Sequence, residues 1–117
     1  MRLLDLFCGA GGASEGYRRA GFDVVGVDLA PQPRYPFPFV LADWRDGLAR
    51  ITGEWKRGGV AYAIHASPPC QRYSSMTKKW GRSKNHPDLV ATVREALLAT
   101  GVPFVIENVP GAPLFAP

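Results

Sequence analysis

The chain has 117 residues, 46% of them hydrophobic, which is enough for one small domain with a packed core. Fourteen Lys and Arg against ten Asp and Glu give a formal charge of +4, a mild basicity that is compatible with nucleic acid and does not demand it. No apolar run is long enough to span a bilayer and no secretion signal opens the sequence. Two cysteines without a Cys-x-x-Cys pair exclude a disulfide framework and argue against a structural zinc site, leaving reduced thiols and an intracellular location as the expectation.

In chain order, residues 2–7 read as a short apolar strand interrupted by Asp5, and residues 9–12 as a glycine-rich turn. Residues 14–20 form a short helix stopped by Gly21. Residues 23–28, "DVVGVD", are a second buried strand with an acid at its end. The stretch "LAPQPRYPFP" is too rich in proline for helix or central strand. Residues 39–42 are a third strand leading to Asp43, and residues 45–55 a helix broken by Gly58 and Gly59. Residues 60–66 are a fourth strand. Residues 73–85 are polar, basic and aperiodic, hence loop. Residues 87–100 carry Leu89, Val93, Ala96 and Leu97 at helical spacing, with Pro87 placed for a first turn and Gly101 for a stop. Residues 103–106 are a fifth strand, followed by Glu107-Asn108-Val109-Pro110 and the tail "GAPLFAP". Strands alternating with helices predict an α/β fold, a doubly wound, mostly parallel sheet with helices on both faces.

In such sheets ligands sit beyond the carboxyl ends of the strands, and the chemistry-bearing residues collect there. Phe7-Cys8-Gly9-Ala10-Gly11-Gly12 follows the first strand, Asp28 ends the second and Asp43 follows the third. Pro69-Cys70-Gln71 follows the fourth, and Glu107-Asn108 follows the fifth. Glycines at that turn let a ligand approach the backbone, although the spacing is Gly-x-Gly-Gly and not the dinucleotide Gly-x-Gly-x-x-Gly. Asp28 suits ribose hydroxyls; its alternative is a solvated strand end.

Ser67, Pro68 and Pro69 hold the backbone extended before a lone cysteine, which suits a thiol kept in a set position and equally suits a rigid turn. A zinc deaminase would need Pro-Cys-x-x-Cys and His-x-Glu, and neither is present. A Cys-His hydrolase could recruit His65 or His86, but each reads as an ordinary loop or strand-end residue. Glu107, at the end of an apolar strand, is expected to be partly desolvated, as a general acid near neutral pH requires; the alternative is a structural acid. Arg72, Lys78, Lys79, Arg82 and Lys84, with Tyr73 and Trp80 between them and no acid, suit phosphate contact and base stacking, or simply a solvated loop.

Taken together, "DLFCGAGGASEGYRRAGFDVVGVD", "SPPCQRYS" and "ENVPG", in this order, resemble the DNA cytosine-5 methyltransferases. The resemblance covers nearly the whole chain, but only the N-terminal half of a family catalytic domain. It implies a Rossmann-like methyltransferase fold, S-adenosylmethionine as cofactor and DNA with a flipped cytosine as partner. It assigns Phe7, Gly9, Ala10, Gly11, Gly12, Asp28, Leu29, Asp43, Trp44 and Pro69 to the cofactor. Cys70 is the implied nucleophile, and Glu107 the implied contact to the target base. Gln71, Arg72, Ser74, Ser75, Lys78, Lys79 and Arg82 would face the nucleic acid, and Asn108 would hold the loop that carries Cys70. Cys8 is expected to pack inertly beneath the glycine turn.

The implied setting is the cytoplasm of a bacterial or phage-infected cell, without membrane or metal. The residues before Pro-Cys-Gln depart from the family, which often has glycines there; this chain has His65, Ala66, Ser67 and Pro68. The later family motifs and the target-recognition region are not in the sequence. The expectation is a sheet truncated after its fifth strand, completed by missing elements or a second chain. The alternative is a non-catalytic remnant that binds cofactor or nucleic acid.

Overall fold

A computed structural model describes residues 1–69 and 89–107. Within them the order is β1 (Arg2–Leu6), α1 (Gly12–Arg19), β2 (Asp23–Asp28), β3 (Phe39–Leu41), α2 (Trp44–Arg57), β4 (Tyr62–Ala66), α3 (Leu89–Thr100) and β5 (Phe104–Ile106). The predicted elements are all present, with shifted ends. The helix expected at residue 14 starts at Gly12, because Gly11 is left-handed (φ 102°) and turns the chain into it. The helix expected at residue 45 starts at Trp44, because Asp43 caps it by accepting the N–H of Arg45 at 2.9 Å. Strand β4 begins at Tyr62, two residues later than expected, since Val60 still bonds back to the carbonyl of Trp55. Residues 87 and 88, the expected first turn of α3, lie outside the described residues.

The five strands pair in the order β3-β2-β1-β4-β5, every pairing parallel. This is a doubly wound Rossmann-like sheet whose strand order reverses beside β1, the central strand. Residues 3–6 of β1 are all buried, as expected for a strand covered on both faces.

Alternation along the strands divides the core. Leu4 and Leu6 of β1, Val27 of β2, and Tyr62, Ile64 and Ala66 of β4 pack with Trp44, Leu48, Ile51 and Trp55 of α2 and Val93 and Leu97 of α3. The other face carries Leu3 and Asp5, Val24 and Gly26, and His65, and it packs against α1 and the segment that holds Tyr35. Two glycines permit close approach. A Cβ on Gly47 of α2 would sit 2.5 Å from Val27 Cγ1, and one on Gly26 would sit 2.5 Å from Tyr35 Cζ and 2.8 Å from Cys8 Sγ. Among the described residues no helix is long and apolar enough to cross a membrane.

Candidate functional site

The carboxyl end of β1 turns sharply. Phe7 has a left-handed backbone (φ 59°), a conformation that costs a bulky residue energy and persists only where neighbours fix it. Hydrogen bonds of the residues that follow it do the fixing here. Cys8 donates its N–H to the carbonyl of Val27 at 3.1 Å, and Gly11 donates to the carbonyl of Cys8 at 3.1 Å. Between them, Gly9 donates its N–H to Asp28 Oδ2 at 3.0 Å. The other carboxylate oxygen of Asp28 accepts the N–H of Ala30 at 3.0 Å. Asp28 therefore ties the glycine turn to the end of β2. Each of its oxygens keeps a second lone-pair direction for a ligand hydroxyl.

Phe7, Asp28, Leu29, Asp43, Trp44 and Pro69 line one cavity of about 280 Å³, together with Val27, Ala42 and Leu89. It lies at the carboxyl ends of β1 to β4, on the side of the fold where the strand order reverses. Phe7 and Trp44 are tilted aromatic neighbours with ring centroids 6.2 Å apart, and Trp44 carries the guanidinium of Arg45 5.2 Å from its ring centre. Leu29 is 72% exposed, so it forms a rim of the cavity. Asp43 is exposed beside the mouth, with one oxygen engaged in capping α2. An added Cβ on Gly9 or Gly12 would meet open space, whereas one on Gly11 would meet Tyr35 at 3.0 Å. Gly9 and Gly12 leave room for a ligand; Gly11 is favoured by its left-handed backbone, with Tyr35 packed close against it.

A larger hollow of about 560 Å³ lies between α2 and α3 and, among the described residues, shares only Trp44 with the first. It is walled by helix surface such as Leu48, Thr52, Thr92 and Ala96 and is remote from the glycine turn. The strand-end cavity is the better candidate because aromatic faces, carboxylates and an open backbone converge there.

Beneath the turn lies a polar cluster that the sequence did not announce. Asp5 is 1% exposed, and its Oδ2 accepts the hydroxyl of Ser14 at 2.5 Å; Ser14 Oγ is in turn 2.9 Å from the hydroxyl of Tyr35. Asp5 Oδ1 has no hydrogen-bond partner among the described residues. Burial raises the Asp5 pKa; the bond from Ser14 and the proximity of His65 only partly oppose it. Cys8 is buried, and burial with the nearby charges of Asp5 and Asp28 pushes its thiol up to about 12. Cys8 packs beneath the glycine turn as expected, and its thiol is disfavoured as thiolate.

One expectation is corrected. Glu107 is not desolvated: its side chain is 66% exposed, because it follows the last residue of β5 and projects past the strand ends. His65 stands near the end of β4, as expected, but is 4% exposed and bonds to Tyr17 and Ser67. Cys70, Gln71, Arg72, Ser74, Ser75, Lys78, Lys79, Arg82 and Asn108 lie outside the described residues. Pro69, the residue before Cys70 in the chain, lines the strand-end cavity.

No family profile and no solved structure matches the chain. It is 33% identical over 120 residues to the Type II methyltransferase M.XorII of Xanthomonas oryzae pv. oryzae. That match takes in 92% of this chain and 28% of that protein, so the chain spans a little over a quarter of the length of the curated relative. The chain is thus related in sequence to a Type II methyltransferase, M.XorII, over a part of that protein's length.

Proposed function

We propose that this chain carries the cofactor-binding and nucleophile-bearing part of an enzyme that transfers a methyl group from S-adenosylmethionine to carbon 5 of cytosine in DNA. The observation that supports this most is the strand-end cavity. Six residues that the resemblance assigns to the cofactor line it together, in a chain whose relative is a methyltransferase.

The residues fit such a group. The Phe7 and Trp44 rings offer apolar faces to a purine, and Asp28 offers acceptors to ribose hydroxyls. The free oxygen of Asp43 offers an acceptor to an exocyclic amine, and the open space over Gly9 and Gly12 accommodates the amino-acid end. Bound S-adenosylmethionine supplies the methyl group as a sulfonium electrophile, which carbon 5 of the base accepts.

The base is a poor carbon nucleophile until its ring is activated. The Cys70 thiolate adds its electron pair to carbon 6, and the ring's double-bond electrons become available at carbon 5. Glu107, which burial does not keep protonated and which must therefore take up its proton on meeting the base, protonates or hydrogen-bonds ring nitrogen 3 as the sulfur–carbon bond forms and stabilises the charge that develops there. After methylation a solvent water takes the carbon-5 proton, and the freed electron pair restores the ring double bond as the carbon–sulfur bond breaks and Cys70 leaves as thiolate. Glu107 then takes back the proton from nitrogen 3. The base must leave the duplex for Cys70 to reach it.

The test is covalent trapping on DNA that carries 5-fluorocytosine, in which fluorine cannot leave as a proton does. A denaturation-resistant adduct that requires both S-adenosylmethionine and Cys70 is the expected result. An adduct formed by Cys70→Ala would overturn the proposal. A non-catalytic remnant would bind S-adenosylmethionine and give no adduct.

A further inference from the structure

Four side chains form one hydrogen-bonded file that ends at Glu107. The hydroxyl of Tyr17, on α1, is 2.8 Å from Nδ1 of His65 on β4. His65 Nε2 is 3.0 Å from Ser67 Oγ. Ser67 Oγ donates to Glu107 Oε1 at 3.3 Å, and His65 Nε2 lies 3.6 Å from the same oxygen. The two rings pack edge to face with centroids 5.3 Å apart. The backbone holds the far end in register, because Glu107 donates its N–H to the carbonyl of Ala66 at 2.9 Å.

With a neutral imidazole, chemistry allows one direction along this file. The carboxyl oxygen Oε1 only accepts, so the single hydrogen of Ser67 points to it. Ser67 Oγ must then accept from Nε2–H. Nδ1 is left as an acceptor, and the Tyr17 hydroxyl donates to it. Every donor points toward Glu107, and the file stops at one of its two oxygens. Asp5, also on this face, stands opposite His65 in the β1–β4 register and has Ser14 on its own Oδ2.

We infer that Ser67, braced by His65 and Tyr17, is a positioning residue that pins the Oε1 edge of Glu107 and leaves Oε2 to face the ring nitrogen of the target base. The inference rests on the reading above in which Glu107 addresses that base. An exposed carboxylate samples several rotamers, and fixing it beforehand removes that entropic cost from the chemical step. His65 and Ser67 fall where the chain departs from the family resemblance, and a glycine in place of Ser67 would supply no hydroxyl.

The test compares methyl-transfer kinetics on cytosine-containing DNA for the complete protein and its Ser67→Ala, Ser67→Thr, Glu107→Gln and Ser67→Ala/Glu107→Gln variants. Ser67→Ala should lower kcat about 10-fold, with KM for DNA and cofactor changed by less than about 2-fold. Ser67→Thr, which keeps the hydroxyl, should restore most of the rate. The double variant should be no slower than Glu107→Gln alone, since Ser67 acts only through that carboxyl.

Ser67→Thr as slow as Ser67→Ala, or losses that multiply in the double variant, would overturn the positioning role. So would a Ser67→Ala rate within about 2-fold of the parent while Glu107→Gln is inactive. If Glu107→Gln is too slow to measure, the Ala-against-Thr contrast decides. A Glu107→Gln enzyme of near-parental rate would instead remove the underlying assignment of Glu107, and the inference with it.

Discussion

Asp28 Oδ2 accepts the backbone N–H of Gly9 at 3.0 Å across 19 residues of sequence. The acid assigned to the ribose is therefore also the clamp of the glycine turn. Asp28→Ala leaves the Gly9 N–H without its partner and should cost about 1–3 kcal/mol of stability in a urea titration. Asp28→Asn keeps an acceptor oxygen for Gly9 and should recover much of that loss. Both should bind S-adenosylmethionine more weakly than the parent by calorimetry, with Ala the worse of the two. Equal heats for parent and Ala variant would leave Asp28 as a clamp alone.

Asp43 poses a similar double role, and its two parts can be separated. Its side chain caps α2, an interaction that typically contributes about 1 kcal/mol. Asp43→Ser retains a capping oxygen and loses the carboxylate. Its urea midpoint should stay near the parent value while affinity for S-adenosylmethionine falls. Asp43→Ala should lose both. A Ser variant that binds as tightly as the parent would assign Asp43 to the helix only.

The two cysteines should behave differently toward 5-fluorocytosine DNA. Cys8 is buried, and its thiol is pushed up to about 12, so Cys8→Ala should leave adduct formation intact. Cys70→Ala should abolish it. Loss of the adduct in a folded Cys8→Ala protein would contradict an inert Cys8.

Asp5 predicts a pH dependence of stability. Burial raises its folded-state pKa above the ordinary 3.8, so between these two values the folded chain holds a proton that the unfolded chain has released. Stability on this account is fully present below the ordinary value and falls as pH rises through the raised one. Asp5→Asn keeps an oxygen for Ser14 and removes the ionisation. The variant should be the more stable one at pH 7 and should lose this part of the slope above pH 4 in urea titrations. A parent and variant with parallel stability–pH curves would show that Asp5 does not titrate with folding.

The sequence by itself determined the order and type of the elements and the placing of the acids and glycines at strand ends. Alternating apolar strands and helices admit few arrangements other than a parallel sheet covered on both faces. Punctuation by Gly21, Gly58 and Gly59 was legible because it depends on local backbone preference. Phe7, Asp28, Asp43 and Pro69 could be assigned to one place because strand ends in such sheets converge.

Tertiary structure alone decided what those residues touch. Asp28 meets Gly9, and Ser14 meets both Asp5 and Tyr35, through pairings between segments that no local pattern encodes. The exposure of Glu107 was misread, and the burial of His65 went unread, for one reason. Apolar neighbours in sequence say nothing about which side of the sheet edge a side chain leaves. Alternation along β4 puts His65 on the face of Ala63. Only the register against β1, and the packing of α1 over it, brings Tyr17 to one ring nitrogen and sets the other toward Ser67 and Glu107. Hydrogen-bond partners across a sheet are fixed by register and helix docking, which are properties of the assembled layers.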